Sequence, residues 1–202
     1  MLGFFIVFEG VDGVGKSTVI SKVKNELVKI GYSVYTTSEP STSPIGNLLR
    51  QLLRERNVKP ELYAILFTAD RYYHYYYEIL PALKSYDFVL CERYVESTIC
   101  YQTIQGLSTS WLEELNRHVP RPDLTIILDA SIDVISERLR SREDLEVFER
   151  DISFLERVRS LMLSRAREKN YIIINTSHRD VNDVVQEVLK HILTYSSSRS
   201  DT

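Results

Sequence analysis

A glycine-rich segment near the start of the chain, FEGVDGVGKST (8–18), carries a lysine and two hydroxyl groups directly after its glycines. Residues 10–17 fit the pattern G-x-x-x-x-G-K-[ST], in which glycines let successive backbone N–H groups turn toward a phosphate. Lys16 can then reach the outer phosphates of a nucleoside triphosphate, and the Ser17 hydroxyl can ligate Mg²⁺. The segment predicts a triphosphate site, but it does not name the reaction.

Alternating strands and helices must position this segment. Five apolar runs are typical of strands covered on both faces, and helical periodicity fills the intervals between them. The predicted strands are 4–8, 33–37, 87–91, 124–129 and 171–175; the predicted helices are 16–30, 45–56, 60–84, 131–142, 151–169 and 181–194. This order predicts a three-layer α/β fold, with a five-stranded parallel sheet flanked by helices.

Composition limits the classes of protein to consider. The 202 residues carry a net charge of −3, which provides no basic field for nucleic acid, and no apolar run is long enough to span a membrane. Two cysteines are too few for a disulfide framework and indicate reduced thiols in a cytoplasmic protein. We predict one domain over 1–195, and a polar, disordered tail over 196–202.

Ligands of parallel α/β sheets bind beyond the carboxyl ends of the strands. Those ends predict where the site lies: 9–18, 38–44, 92–97, 129–131 and 175–178. Two other segments could contribute. The tyrosine-rich run 71–77 is typical of packing or of a subunit interface, and it favours a homodimer; the arginine-dense segment 137–150 could supply movable cations to phosphates.

Four motifs, in order along the chain, resemble those of the thymidylate kinase family, within the P-loop nucleoside monophosphate kinases. FEGVDGVGKST is similar to the family's phosphate loop, and LFTADR (66–71) to L-F-x-A-x-R. ERYVESTICYQ (92–102) resembles D-R-[YH]-x-x-S-x-x-A-Y-Q, and RPDLTIILD (121–129) resembles R-P-D-L-x-x-x-L-D. The resemblance extends over residues 4–195. It implies the reaction ATP + dTMP → ADP + dTDP with Mg²⁺, as a step toward dTTP.

The resemblance also implies a role for each matching residue. The phosphate loop would bind the nucleotide through Gly10, Asp12, Gly13, Val14, Gly15, Lys16, Ser17 and Thr18. Lys16 and Arg93 would be catalytic, Ser17 and Glu92 would lie at the Mg²⁺ position, and Asp12 would hold the sugar 3′-hydroxyl of dTMP.

The remaining matches concern the acceptor nucleotide. Phe67 corresponds to the aromatic residue stacked on thymine, and Arg71 to the arginine that hydrogen-bonds the base. Arg50 and Arg93 correspond to the arginines that hold the acceptor phosphate. Tyr101 corresponds to the ring that packs against the deoxyribose, at the place where a 2′-hydroxyl would lie. Ser97 and Gln102 are implied as polar groups of the pocket.

Two positions without positive charge shift attention to a lid over 139–150. Ser38 replaces the arginine that bacterial-type members carry before Glu39-Pro40, and Gly13, as in the bacterial type, offers no charge inside the phosphate loop. Glu92 in place of aspartate and Cys100 in place of alanine are the other departures from the family pattern. On a helix, residues at i and i+4 share a face. We therefore predict that Arg138 and Arg142 face the nucleotide and act in catalysis, while Arg140 points to solvent.

The sequence leaves three alternative functions open. The chain could be another small P-loop kinase acting on a different nucleoside monophosphate or on a nucleoside. It could be a nucleotide-dependent switch, although the NTSH sequence (175–178) does not match the guanine-specificity motif N-K-x-D. It could also be a non-catalytic paralogue, against which the retained Lys16 and Arg93 argue.

Overall fold

The computed structural model describes residues 2–55, 58–140 and 148–200, without the side chains of Arg150 and 198–200. Its parallel sheet has the strand order β2-β3-β1-β4-β5. The strands are β1 (Phe4–Glu9), β2 (Val34–Ser38), β3 (Phe88–Glu92), β4 (Leu124–Asp129) and β5 (Ile172–Asn175). The predicted five-stranded α/β fold is confirmed.

Helices connect the strands. In chain order they are α1 (Lys16–Lys29), α2 (Pro44–Leu52), α3 (Pro60–His74), α4 (Leu80–Leu83), α5 (Val95–Ile104), α6 (Thr109–Leu115), α7 (Ile132–Arg140), α8 (Ile152–Glu168) and α9 (Val181–Ser200). One π-helical turn, Tyr75–Ile79, joins α3 to α4, and a 3₁₀ turn, Phe148–Arg150, precedes α8. Within the described ranges, no helix is both long and apolar enough to cross a bilayer.

The central strand β1 supplies side chains to cores on both faces of the sheet. Ile6 and Phe8 belong to the larger core, which α1, α8 and α9 cover, whereas Phe5 and Val7 pack against the region around Ile79. Alternate residues of a strand point to opposite faces, so an unbroken apolar run is what burial on both faces requires.

Two sequence predictions differ from the structure. Helices α5 and α6 were not predicted, and the tail predicted to be disordered from Ser196 is instead helical to Ser200. The Ser196 and Ser197 hydroxyls both donate to the carbonyl of Leu193, so these polar residues bond to their own helix. Ser196 is also buried.

Candidate active site

The phosphate loop connects β1 to α1 and is shaped by three glycines with left-handed φ: Gly10 at 143°, Gly13 at 85° and Gly15 at 94°. A side chain at position 10 would also meet the Leu128 carbonyl at 2.4 Å, so only glycine fits there. The loop ends at the N-terminus of α1, where free N–H groups and the helix dipole favour an anion. This geometry suits a bound phosphate.

Lys16 lies on the inner side of this loop and is buried. Its Nζ donates to the carbonyls of Gly10 at 3.1 Å and Val11 at 3.0 Å, and lies 3.9 Å from Asp12 Oδ1 and from Glu92 Oε1. Burial and the nearby Arg93 charge lower the pKa of Lys16 to about 8. The ammonium is therefore held beside the loop, and at neutral pH most of it keeps its proton.

Ser17, at the start of α1, meets the end of β3. Its hydroxyl donates to Glu92 Oε2 at 2.7 Å. A hydroxyl and a carboxylate are the hard oxygen ligands that Mg²⁺ prefers, and few protein ligands are needed because Mg²⁺ keeps much of its water. The donor set at this point therefore fits Mg²⁺.

Asp12 faces Arg93 and Tyr101 from the phosphate loop. Its carboxylate accepts a short hydrogen bond from Arg93 Nη2 and a 2.9 Å bond from the Tyr101 hydroxyl. Burial alone would raise the pKa of Asp12, but the charges of Arg93 and Lys16 outweigh it and hold this pKa below its usual range. The acid is therefore ionised and positioned between the loop and α5.

Arg93 follows β3 with a left-handed φ of 66°, which is uncommon for a residue with a side chain. Its Nη1 donates to Ser97 Oγ at 3.1 Å, and its guanidinium lies 5.4 Å from the centre of the Tyr101 ring. Backbone strain of this kind clusters at functional sites. The turn directs a cation into the space between the phosphate loop and α5.

Glu9 fixes the start of α5. Its buried carboxylate accepts from the backbone N–H groups of Tyr94 at 2.9 Å and Ser97 at 3.2 Å, and from Ser97 Oγ at 2.5 Å. A carboxylate at a helix N-terminus satisfies unpaired N–H donors and complements the helix dipole. Glu9 thereby positions the helix that carries Ser97, Tyr101 and Gln102.

A cavity of about 390 Å³ opens beside the phosphate loop. It brings together eight residues that the sequence predicted for the acceptor site: Asp12, Arg50, Phe67, Arg71, Arg93, Ser97, Tyr101 and Gln102. Glu92, predicted for the metal, lines it as well. The sequence placed these residues on four separate segments, and the fold gathers them around one space.

Arg71 is buried against the wall of this cavity, and three elements hold it. Nη1 donates to Asn116 Oδ1 at 2.7 Å, while Nη2 donates to the Tyr94 carbonyl at 2.8 Å and to Thr98 Oγ1 at 2.9 Å. Nη2 also lies 2.7 Å from Glu39 Oε2, in a direction that makes the contact an ion pair rather than a hydrogen bond. The Nε donor remains without a partner among the described residues.

Among the residues that the structure describes, Gln102, on α5, has an unpaired acceptor where Arg71 has an unpaired donor. Its side-chain nitrogen donates to Gln105 at 3.1 Å, whereas its Oε1 is buried and has no hydrogen-bond partner in the described parts of the chain. Buried polar groups are almost always paired, so each unpaired one needs an explanation. Among the described residues that line the cavity, the donor without a hydrogen-bond partner is Arg71 Nε, and the acceptors without one are Gln102 Oε1 and Glu39 Oε2. Glu39 Oε2 is ion-paired with Arg71, so Gln102 Oε1 is the acceptor of this group that lacks an ion pair as well.

Arg50 reaches the same cavity from α2. It donates to the carbonyls of Pro40 and Ser41, each at 2.6 Å, and to Asn47 Oδ1 at 2.8 Å. On the opposite side, Phe148 packs against Tyr101 with ring centres 5.6 Å apart. Phe148 lies within the segment predicted as a lid, 139–150, so aromatic contact closes that side of the cavity.

The lid prediction falls partly outside the described residues. Arg138, on α7, donates from Nη1 to the Gly13 carbonyl at 3.0 Å and from Nη2 to the Thr176 carbonyl at 3.1 Å, which places it beside the phosphate loop. Arg140 is exposed, as expected of a solvent-facing residue. Arg142 lies in 141–147, outside the described residues, so its position stays a prediction.

Eight residues that line the cavity were not predicted as site residues, namely Ser38, Glu39, Pro40, Leu53, Tyr94, Thr98, Phe148 and Glu149. Tyr94 and Thr98 lie inside the motif 92–102, which the sequence did identify. They are four positions apart, on either side of the predicted residue Ser97, and this i, i+4 spacing is the signal that could have identified them. Phe148 stands out only as an aromatic residue within a highly charged segment.

Comparison with known proteins gives consistent results. The family model described as Thymidylate kinase matches residues 8–188. The "Probable thymidylate kinase" of Caldivirga maquilingensis is 48% identical over 187 residues, which span 92% of this chain and 91% of that protein. The "Probable thymidylate kinase" of Pyrobaculum aerophilum is 42% identical over 95% of this chain and 98% of its own length.

Solved structures are similar across the same region. Thymidylate kinase from Candida albicans has a TM-score of 0.83 at 24% identity, covering 96% of this chain and 93% of its own, which supports the fold. Thymidylate kinase from Ehrlichia chaffeensis has a TM-score of 0.75 at 28% identity, covering 96% and 99%.

Proposed function

The chain belongs to the thymidylate kinase family, whose reaction is phosphorylation of dTMP at the expense of ATP, and from this premise we propose the role of each part of the site. The phosphate loop binds ATP, and the adjoining cavity binds dTMP. Phosphoryl transfer asks a protein mainly for positioning and for neutralisation of charge, and the loop and cavity offer both.

One observation carries the assignment of the cavity to a thymine base. Arg71 Nε is an unpaired buried donor and Gln102 Oε1 an unpaired buried acceptor, and both residues line the cavity with the aromatic Phe67. The thymine edge offers an acceptor at O4 and a donor at N3–H. Cytosine presents the reverse pattern at the same two positions, so it would leave these buried groups unpaired.

The sugar and phosphate of dTMP occupy the end of the cavity nearest the phosphate loop. Asp12 receives the 3′-hydroxyl, and Tyr101, which donates to Asp12, fills the space of a 2′-hydroxyl. Arg93 and Arg50 hold the acceptor phosphate. Because both arginines now bond to protein oxygens, a dianion competes for donors that are already in place.

On the donor side, Lys16 contacts the outer phosphates of ATP, and Ser17 with Glu92 holds Mg²⁺. Mg²⁺ would supply charge neutralisation on the phosphate oxygens. Arg142 and Arg138 complete the cationic surroundings of the transferred group, with Arg138 already bonded to the Gly13 carbonyl. These arginines supply the positive charge that Gly13 and Ser38 do not provide.

We also propose a cytoplasmic homodimer. Support for the dimer is a row of exposed apolar side chains along α3 and the π-helical turn: Leu62, Ile65, Tyr73, Tyr76 and Tyr77. Large exposed apolar surface is typical of an interface. Support for the location is that Cys91 and Cys100 are free and buried thiols.

Binding measurements test the base assignment. We expect titration calorimetry of the purified protein to show dTMP binding about 5- to 150-fold more tightly than dCMP, since cytosine leaves a buried group unpaired. Arg71→Lys should reduce that ratio, while Arg117→Lys, at an exposed position two residues after α6, should leave it unchanged. Equal affinity of the wild-type protein for dTMP and dCMP would show that the cavity does not read the base in this way.

A further inference from the structure

A row of polar side chains joins β2 to α3 behind the cavity. Tyr35, Thr37 and Glu39 alternate along the strand and its extension, so they share one face. They meet His74, at the end of α3, and Glu78, in the π-helical turn. The Tyr35 hydroxyl donates to Glu78 Oε1 at 3.2 Å, and the Thr37 hydroxyl donates to the same oxygen at 2.5 Å.

Charged groups in this row alternate in sign from the cavity toward the surface. Arg71 Nη2 lies 2.7 Å from Glu39 Oε2, Glu39 Oε1 lies 3.3 Å from His74 Nδ1, and His74 Nε2 lies 3.5 Å from Glu78 Oε1. Arg71, Glu39 and His74 are all buried, whereas the Glu78 side chain is 28% exposed. Buried charges require such pairing, because an unpaired one is strongly destabilising.

Both ring nitrogens of His74 face hydrogen-bond acceptors. Nδ1 faces the Glu39 carboxylate. Nε2 lies 2.7 Å from Thr37 Oγ1, and the Thr37 hydroxyl also lies 2.5 Å from Glu78 Oε1. With the Thr37 proton directed to Glu78, a cationic His74 supplies a proton to both of its contacts, whereas a neutral imidazole supplies only one. This arrangement of acceptors favours the doubly protonated, cationic form of His74.

The charges around His74 favour the same form. Burial would lower the pKa of His74, but the hydrogen bond to Glu39 and the charges of Glu39, Glu78 and Asp70 outweigh it and raise this pKa above 6.5. The folded pKa exceeds the unfolded one, so the stabilisation is complete below pH 6.5 and is lost as the pH rises through the folded pKa.

We propose that cationic His74 is a positioning residue for the acceptor base, which fixes Glu39 and, through Glu39, the guanidinium of Arg71. This inference rests on the proposed function, since it assumes that Arg71 reads the base. Glu39 contacts Arg71 by charge without a hydrogen bond, so the donor on His74 Nδ1 determines where this carboxylate lies. When His74 becomes neutral, it loses the charge that attracts Glu39 and holds this carboxylate less firmly, so Arg71 is positioned less firmly as well.

Two substitutions separate positioning from packing. An asparagine amide can replace the Nδ1 donor, whereas a glutamine amide replaces the Nε2 donor, so His74→Asn retains the contact to Glu39 and His74→Gln loses it. We expect His74→Gln to raise the KM for dTMP about 3- to 10-fold, the size expected for one buried hydrogen bond, with the KM for ATP unchanged. His74→Asn should restore most of the affinity, and the exposed His118→Gln is the matched control.

The pH profile gives a second readout. In the wild-type enzyme, the preference for dTMP over dCMP should fall as the pH rises through the raised pKa of His74 and this residue becomes neutral. In His74→Gln the preference should be lower and independent of pH over the same range. Glu78→Gln removes a negative charge beside His74 and so lowers the pKa of His74. The change in preference should therefore occur at a lower pH than in the wild-type enzyme.

The outcomes distinguish the two proposals. If the wild-type enzyme does not prefer dTMP to dCMP at any pH, the proposed function fails. If the wild-type enzyme prefers dTMP but folded His74→Gln has an unchanged KM and pH profile, the positioning role is overturned, and an equal loss for dTMP and ATP overturns it too. Should His74→Gln not fold, the wild-type profile and the shift in Glu78→Gln decide.

Discussion

The Ser17 hydroxyl donates a 2.7 Å hydrogen bond to Glu92, which joins the first turn of α1 to the carboxyl end of β3. The two residues are 75 positions apart in the sequence, and only the adjacency of β1 and β3 in the sheet brings them together. Their contact places a hydroxyl and a carboxylate beside the phosphate loop, where the resemblance to the family implies Mg²⁺.

Removal of either oxygen should change the dependence of the rate on Mg²⁺. We expect Ser17→Ala and Glu92→Gln each to raise the Mg²⁺ concentration for half-maximal rate by about tenfold or more, as loss of groups around a metal does elsewhere. Mg²⁺ titrations of the steady-state rate measure this, with the exposed Glu114→Gln as control. An unchanged Mg²⁺ requirement in both variants would contradict the assignment.

Loss of the Lys16 ammonium should abolish transfer without unfolding the protein. Lys16→Ala removes the cation that the loop carbonyls hold in place, and we expect kcat to fall by at least about 10²–10³, as for other lost electrostatic donors. Lys29→Ala, at the exposed end of the same helix, serves as control. A folded Lys16→Ala enzyme with nearly wild-type turnover would refute the role of the loop.

The two arginines assigned to the acceptor phosphate should affect one substrate more than the other. Charge-assisted hydrogen bonds contribute about 1.5–3 kcal/mol, so Arg93→Ala and Arg50→Ala should each raise the KM for dTMP about 10- to 100-fold. The KM for ATP should change far less. Steady-state kinetics with each substrate varied in turn measures the difference, and equal changes for both substrates would count against the assignment.

The lid arginines should affect turnover rather than acceptor affinity. We expect Arg142→Ala to lower kcat by about 10²–10³, because it removes charge from the developing transition state. Arg138→Ala should lower kcat less, since Arg138 supports the loop through Gly13. The exposed Arg140→Ala is the internal control; if it is the most damaging of the three, or if none matters, the lid assignment is wrong.

The sequence predicted most of the sheet because its strands are buried on both faces and read as unbroken apolar runs. Helix α5 was missed for a related reason. Its residues from Glu96 to Gln102 are all buried, including polar ones, so no amphipathic pattern marks it. The carboxylate that satisfies its N-terminus is Glu9, more than 80 residues earlier.

The site shows the same division. Motifs identified residues of the phosphate loop and of the cavity, from Lys16 to Tyr101, because the chemistry expected of such a site fixes their type and spacing. They did not identify the groups that hold Arg71, such as Asn116 and Glu39, which come from other elements. Those contacts depend on how distant segments of the chain pack together, and a local sequence pattern does not predict that packing.

Acceptor choice is the most direct test of the central claim. A coupled assay of ADP release should be run with ATP, Mg²⁺ and each of dTMP, dUMP, dCMP, dGMP and AMP. We predict the highest kcat/KM for dTMP, a lower value for dUMP, and little turnover with dCMP, dGMP or AMP, with one dTDP formed per ADP. Comparable kcat/KM for dCMP or AMP, or ADP release without dTDP, would contradict this account.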